Sequence, residues 1–200
     1  HDKGDYGKGL ADFAKLYLEQ DSRAEVVLFE GVTVGAVDYT AVINKIKNSG
    51  AEAIIFGGYH PEASKIVSQM KKRAMDIPFI SDDGVKDQTF IKVAGEYAEG
   101  VYASGPMDTA TNALTILATK EHQDKYGEDP GAFYLNAYAA ILAVFNAIEV
   151  AGSTDYDAVT NALRTSYLET TLGKIKFDSK GDAEGVGFSM YQVQNGTYVE

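Results

Sequence analysis

Short β-branched runs alternate with segments of helical period through the first hundred residues, and that order constrains the fold more than any single motif. After a glycine-rich opening, Leu10, Phe13, Ala14, Tyr17 and Leu18 stand three and four residues apart, which paints one apolar stripe on a helix over residues 9–19. Residues 24–30 are short, β-branched and aromatic and read as a buried strand. Tyr39, Val42, Ile43 and Ile46 return to the helical period, and Asn48-Ser49-Gly50 ends that helix with a glycine cap. Residues 52–56 predict the next strand, and Pro61 opens a helix with Ile66, Val67 and Met70 inward. A strand over 77–80, a helix from about 85 to 94 and a strand over 100–104 complete the series. Strands separated by helices in this way predict an α/β lobe, a doubly wound parallel sheet covered on both faces.

After Pro106 the pattern changes. Residues 110–126 and 131–150 predict two long helices, and Thr154-Asp155-Tyr156-Asp157 is a capping-box start for a third. Strand character returns only at 174–177 and at 190–200, where alternating residues surround the hairpin dipeptide Asn195-Gly196. A boundary therefore falls near Met107. A doubly wound lobe ordinarily begins with a strand, yet the first element here is the loop and helix that should follow one. The helices after Pro106 also have little sheet of their own, so they read as part of a second α/β lobe.

Charge and composition narrow the function. With 29 acidic against 18 basic residues the net charge is −11, which disfavours nucleic acid and anionic lipid surfaces as partners. The longest apolar run, residues 137–150, is interrupted by Asn146 and has helical periodicity, so no stable membrane insertion is expected. The absence of cysteine excludes disulfides, thiolate metal sites and cysteine nucleophiles. Residues 1–4 are polar where the apolar core of a signal peptide would lie.

No catalytic set emerges. No serine sits in a Gly-x-Ser-x-Gly elbow. The acids Asp82-Asp83, Asp124 and Glu128-Asp129 read as turns or caps before they read as a hydrolytic pair. His60-Pro61-Glu62 lacks a third metal ligand, and His122 lies on a charged helix. Gly4-Asp5-Tyr6-Gly7-Lys8-Gly9 lacks the spacing of a dinucleotide or phosphate loop. No enzyme activity, metal or cofactor is therefore expected. The strand ends are more informative. Gly57-Gly58-Tyr59-His60 and Ser81-Asp82-Asp83-Gly84 place aromatic and polar groups where open α/β sheets bind ligands, although a tight turn with a packed tyrosine explains the first as well.

At these residues the chain resembles the branched-chain amino-acid-binding proteins, the leucine/isoleucine/valine type within the type I periplasmic binding proteins. The matching words are His1-Asp2-Lys3 through Tyr6-Gly7-x-Gly9-Leu10, then Phe29-Glu30-Gly31, Asp38-Tyr39, Gly57-Gly58-Tyr59 and Pro61-Glu62. Asp83-Gly84-Val85, Ala98-Glu99-Gly100, Asp129-Pro130 with Gly131-Ala132-Phe133, Tyr138-Ala139-Ala140 and Asp178-x-Lys180-Gly181-Asp182 follow in the family's order. Each word is common, but the ordered set runs nearly end to end.

The resemblance implies two lobes joined at a hinge that close on a small amino acid and pass it to the permease of an ABC transporter, in the periplasm or, in a Gram-positive cell, lipid-anchored outside it. It implies that residues 1–106 form most of the C-terminal lobe, 107–183 the C-terminal part of the first lobe, and 184–200 a hinge return and final strands. It also implies a companion N-terminal segment carrying the groups that hold the ligand carboxylate. Residue by residue, Tyr6 and Tyr59 correspond to aromatics that close over the ligand, Asp83 to the acid that pairs with its ammonium, Phe133 to an aromatic bordering the side-chain pocket, and His60 to a rim contact. Many members carry Glu where Asp83 stands, so this pocket is a methylene longer or bridged by water. A ligand-binding sensor domain of a signalling receptor with the same fold is the alternative, told apart by whether the polypeptide continues into a membrane helix.

Overall fold

The structure, a computed structural model, describes residues 1–21 and 24–200. They divide into two compact units, one made of residues 1–105 and 189–200, the other of residues 106–188.

In the first unit the order is α1 (Asp5–Gln20), α2 (Thr40–Ser49), β1 (Ile54–Phe56), α3 (His60–Lys71), β2 (Phe79–Ser81), α4 (Gln88–Ala94) with a 3₁₀ turn at Gly95–Ala98, and β3 (Tyr102–Pro106). β1, β2 and β3 pair in parallel, with Ile54 opposite Phe79 and Ile80 opposite Tyr102. The local signals explain the boundaries. Pro61 lies in the first turn of α3, where its missing N–H costs nothing, and Gly50 ends α2 in the left-handed region. The helix expected from residue 85 starts three residues later, because the Asp87 side chain accepts from Thr89 N and caps it there. Phe56, Ile66, Val67, Met70, Phe79, Phe90, Val101 and Ala103 form one buried core between the sheet and its helices. Two parallel-sheet crossovers through α3 and α4 thus set the carboxyl ends of β1 and β2 side by side.

The sheet order is β1-β2-β3-β7-β8, completed by the chain's last segment: β7 (Phe188–Gln194) and β8 (Thr197–Val199). Asn195 and Gly196 form their turn, both at positive φ, as a two-residue hairpin of this hand requires.

One expectation fails. Residues 24–30 belong to no strand, although their β-branched composition suits one. A strand needs a neighbour, and β1 is the edge of the sheet with an open groove between the two.

The second unit contains α5 (Ala113–Tyr126), α6 (Tyr134–Ala151), α7 (Tyr156–Thr165), β4 (Leu168–Thr170), β5 (Gly173–Phe177) and β6 (Ala183–Glu184). The start of α7 is capped by Asp155 rather than Thr154, its carboxylate accepting from Asp157 N and Ala158 N. By length and composition α6 meets the requirement for a membrane span. It nonetheless packs against α7 and β4 through Ala143 and Ala147, and Asn146 Nδ2 donates to Glu169 O.

Candidate functional site

Two loops leave the carboxyl ends of adjacent strands, Gly57-Gly58-Tyr59 after β1 and Asp82-Asp83-Gly84 after β2, and the start of α1 packs against the first. The approach is backbone to backbone. A β-carbon on Gly57 would lie 2.1 Å from Gly7 O, one on Gly7 2.5 Å from Gly57 O, and one on Gly84 2.4 Å from Gly58 O. Only hydrogen fits at these three positions.

Asp82 ties the loops together. It is 1% exposed, and its carboxylate accepts from Gly58 N at 2.9 Å and Gly84 N at 3.0 Å. Burial is the main reason its pKa is pushed up to about 6, against the pull of those two N–H groups, and the neighbouring charges of Asp83 and Asp2 add to the rise. His60 N donates to Gly84 O and Ser81 Oγ to Phe56 O, so the loops are bonded at several points. Asp2, also buried, donates its N–H to Gly57 O and accepts Gly4 N on Oδ1, which fixes the entry to α1. Behind the second loop, Tyr198 of β8 donates its hydroxyl to Val85 O at 2.5 Å.

On this scaffold stand three of the residues that sequence reasoning selected. Tyr6, in the first turn of α1, donates its hydroxyl to Asp83 Oδ1 at 2.5 Å. Burial, then that hydrogen bond to the carboxylate, raises the Tyr6 pKa, so the phenol keeps its proton. The rings of Tyr6 and Tyr59 lie 5.4 Å apart, tilted by 37°. Both tyrosines are about two-fifths exposed, at 39% and 41%, and Asp83 is partly exposed beside them. A carboxylate acceptor beside two aromatic rings suits a cationic nitrogen. His60 begins α3, next to Tyr59 in the chain. Phe133 is carried by the other unit, exposed at the residue that precedes α6.

The supporting residues Asp2, Asp82 and Tyr198 were not singled out from the sequence. For Asp82 the sequence offered only an acid beside another acid, which a solvated turn explains equally well. Among the described residues no group of three His, Asp or Glu side chains is placed to hold a metal ion.

A family model described as periplasmic binding protein matches residues 1–197. The leucine-, isoleucine-, valine-, threonine- and alanine-binding protein of Pseudomonas aeruginosa is 36% identical over 196 residues, covering 96% of this chain and 51% of its own length. The Leu/Ile/Val-binding protein homolog 1 of Brucella abortus is 37% identical over 200 residues, 98% of this chain and 53% of its own. Among solved structures, the substrate-binding protein of a branched-chain amino acid transporter from Streptococcus pneumoniae, in complex with isoleucine, matches with a TM-score of 0.81 at 27% identity, covering 98% of this chain and 55% of that one. A leucine-binding protein from Thermotoga maritima matches with a TM-score of 0.85 at 24% identity over 98% of this chain and 56% of that one, a likeness of fold. The chain spans about half the length of the curated relatives it matches. With the family model covering nearly every residue, and the doubly wound sheet and its glycine-packed strand-end loops in place, the chain belongs to the periplasmic binding protein family.

Proposed function

We propose that this chain is the ammonium-gripping part of an extracytoplasmic receptor that captures a small aliphatic amino acid, leaves it chemically unchanged, and delivers it to the permease of an ABC transporter. The observation that carries this reading is the Tyr6–Asp83–Tyr59 cluster at the sheet's carboxyl edge. Tyr6 takes one oxygen of Asp83 and leaves the other for the ligand's α-ammonium, a charge-assisted hydrogen bond of the stronger kind. The two rings flank that nitrogen and shield it from water, which adds about 0.5 to 2 kcal/mol of cation–π attraction. A ligand without an ammonium would leave the Asp83 charge desolvated without a partner, so the acid selects for that cationic group. His60 serves as a rim contact. The role of Phe133 against the ligand's aliphatic side chain rests on the family resemblance and on its exposure. The relatives named for leucine, isoleucine and valine support the choice of ligand class.

The test is calorimetry on the complete protein, joined to its N-terminal portion, with leucine, isoleucine and valine beside N-acetyl-leucine. The free amino acids are expected to bind, and the acetylated compound, which has no ammonium, to bind at least about tenfold more weakly. Equal affinity for both would overturn the role of Asp83, and no heat from any aliphatic amino acid would overturn the ligand class.

A further inference from the structure

Beneath the Tyr6–Asp83–Tyr59 cluster lies a second carboxylate, almost completely buried. Asp82 is 1% exposed, and it accepts from Gly58 N on the loop after β1 and from Gly84 N on the loop after β2. These are the loops that carry Tyr59 and Asp83. Between Asp82 and the tyrosine wall the packing is one α-carbon thick. A β-carbon on Gly84 would lie 2.9 Å from Asp82 Oδ1 and 3.0 Å from Tyr59 Cδ1. Two hydrogen bonds and this contact make the spacing of the two loops depend on one carboxylate.

The charges around Asp82 have its own sign. Asp83 follows it in the loop, and Asp2, 5% exposed in the segment before α1, accepts Gly4 N. The Tyr6 phenol faces it from α1, with the hydroxyl donating to Asp83. Tyr59 and His60 stand at the start of α3, and Glu62 in its first turn accepts Gly35 N. Lys86, the nearest cation along the chain, holds its ammonium 3.7 Å from the centre of the Tyr191 ring on β7. The two N–H groups offset burial and the like charges only in part, which leaves the Asp82 pKa at about 6. An ammonium held by Asp83 supplies the opposite charge next door.

We propose that Asp82 is a proton-linked positioning residue of the ligand site: ionised, it holds the Tyr59 and Asp83 loops at the spacing that grips an ammonium, and ligand binding expels its proton. The inference rests on the ammonium-gripping role proposed for Asp83. By linkage, what the bound ammonium does to the proton, the proton does to the ammonium. A cation beside the cluster favours the charged carboxylate, so Asp82 titrates at about 5 or below with ligand bound. Affinity is then highest above pH 7 and falls as pH drops through 6, because each ligand displaces a proton. For a midpoint that moves from about 6 to about 5, leucine binds about threefold more weakly at pH 5.5 than at pH 7 and releases about half a proton per molecule near pH 5.5. Leucine's own ammonium and carboxylate keep their charges over this range.

The experiment is calorimetry of leucine binding to the complete protein between pH 5.5 and 7.5, in pairs of buffers that differ in ionisation enthalpy, so that the heat reports protons released. Release of about half a proton near pH 5.5 is expected in the parent and absent in Asp82→Asn, whose affinity stays flat with pH whatever its level. Histidine also changes charge near neutrality, so His60→Gln is measured beside them and is expected to keep the release. No proton release in the parent overturns the proposal, as does release that survives Asp82→Asn or vanishes in His60→Gln. Leucine that gives no heat at any pH sinks the ligand reading and the proposal with it, a different result from leucine that binds without moving a proton. Should Asp82→Asn fail to fold, the amide proton shifts of Gly58 and Gly84 in the parent report the same carboxylate. Their midpoint is expected to fall when leucine binds, and an unmoved midpoint overturns the proposal.

Discussion

The Tyr6 hydroxyl lies 2.5 Å from Asp83 Oδ1, joining residues 77 positions apart in the chain. The bond orients the carboxylate and satisfies one of its oxygens. Replacing Asp83 by Ala removes the acceptor and leaves the phenol without its partner, so amino-acid affinity in the complete protein is expected to fall at least tenfold by calorimetry. Tyr6→Phe keeps the ring and loses only the donor, a change on the order of 1 kcal/mol, and should weaken binding three- to tenfold. If Asp83→Ala binds as the parent does, Asp83 is not in the site.

Glycine substitutions separate the packing of the site from the helix that feeds it. A β-carbon at Gly57 meets the Gly7 carbonyl at 2.1 Å, and neither backbone can swing aside as a flexible side chain would. Gly57→Ala should therefore destabilise the chain by roughly 2 to 4 kcal/mol in urea unfolding. Gly9, inside α1, has nothing within 4 Å of its added β-carbon, and Gly9→Ala should stabilise by about 0.5 to 1 kcal/mol through the helix's lower entropy cost. Equal effects at the two positions would contradict the packed geometry.

Asp82 gives stability a pH dependence with a definite sign. Its folded pKa of about 6 lies above the ordinary carboxylate value, so the folded state holds the proton more tightly than the unfolded chain. The cost of ionising it is fully present above pH 6, shrinks as pH falls through 6, and is gone below about 4, where both states are protonated. Relative to Asp82→Asn, the parent should gain on the order of 2 kcal/mol between pH 7 and pH 4 in urea unfolding. The asparagine amide faces Gly58 N or Gly84 N with a donor, which lowers stability by an offset that does not vary with pH and leaves the difference readable. A stability gap between the two proteins that stays flat with pH would refute the raised pKa.

Local signals carried most of the fold. The helical stripe of Leu10 to Leu18, Pro61, Gly50 and Asn195-Gly196 each act over a few residues, and the structure places elements or turns at all of them. What the sequence hid was non-local. Residues 24–30 have strand composition, but a ladder needs a neighbour, and composition does not report one. The pair Leu168–Thr170 and Gly173–Phe177 was half missed, since the first strand is three residues long with a glutamate at its centre. At the candidate site, Tyr6, Tyr59 and Asp83 were singled out through the family's ordered words. Asp82 was not, because its role depends on two loops that meet only after the crossovers are made.

Tyr59 and His60 are neighbours in the chain and should differ in weight. Tyr59 contributes a face paired with Tyr6 at 5.4 Å beside the carboxylate, whereas the His60 backbone N–H is committed to Gly84 O and the residue starts a helix. If the ring attracts the ligand's ammonium, Tyr59→Phe should hold affinity within about threefold, because the face survives, and Tyr59→Leu should lose roughly three- to thirtyfold, the range that corresponds to the cation–π contribution. His60→Ala, removing a rim side chain but no backbone bond, should change affinity less than about threefold. The ordering matters more than any one value. A leucine at position 59 that binds as well as phenylalanine would mean the wall works by bulk alone, and the ammonium would then owe its selection to Asp83.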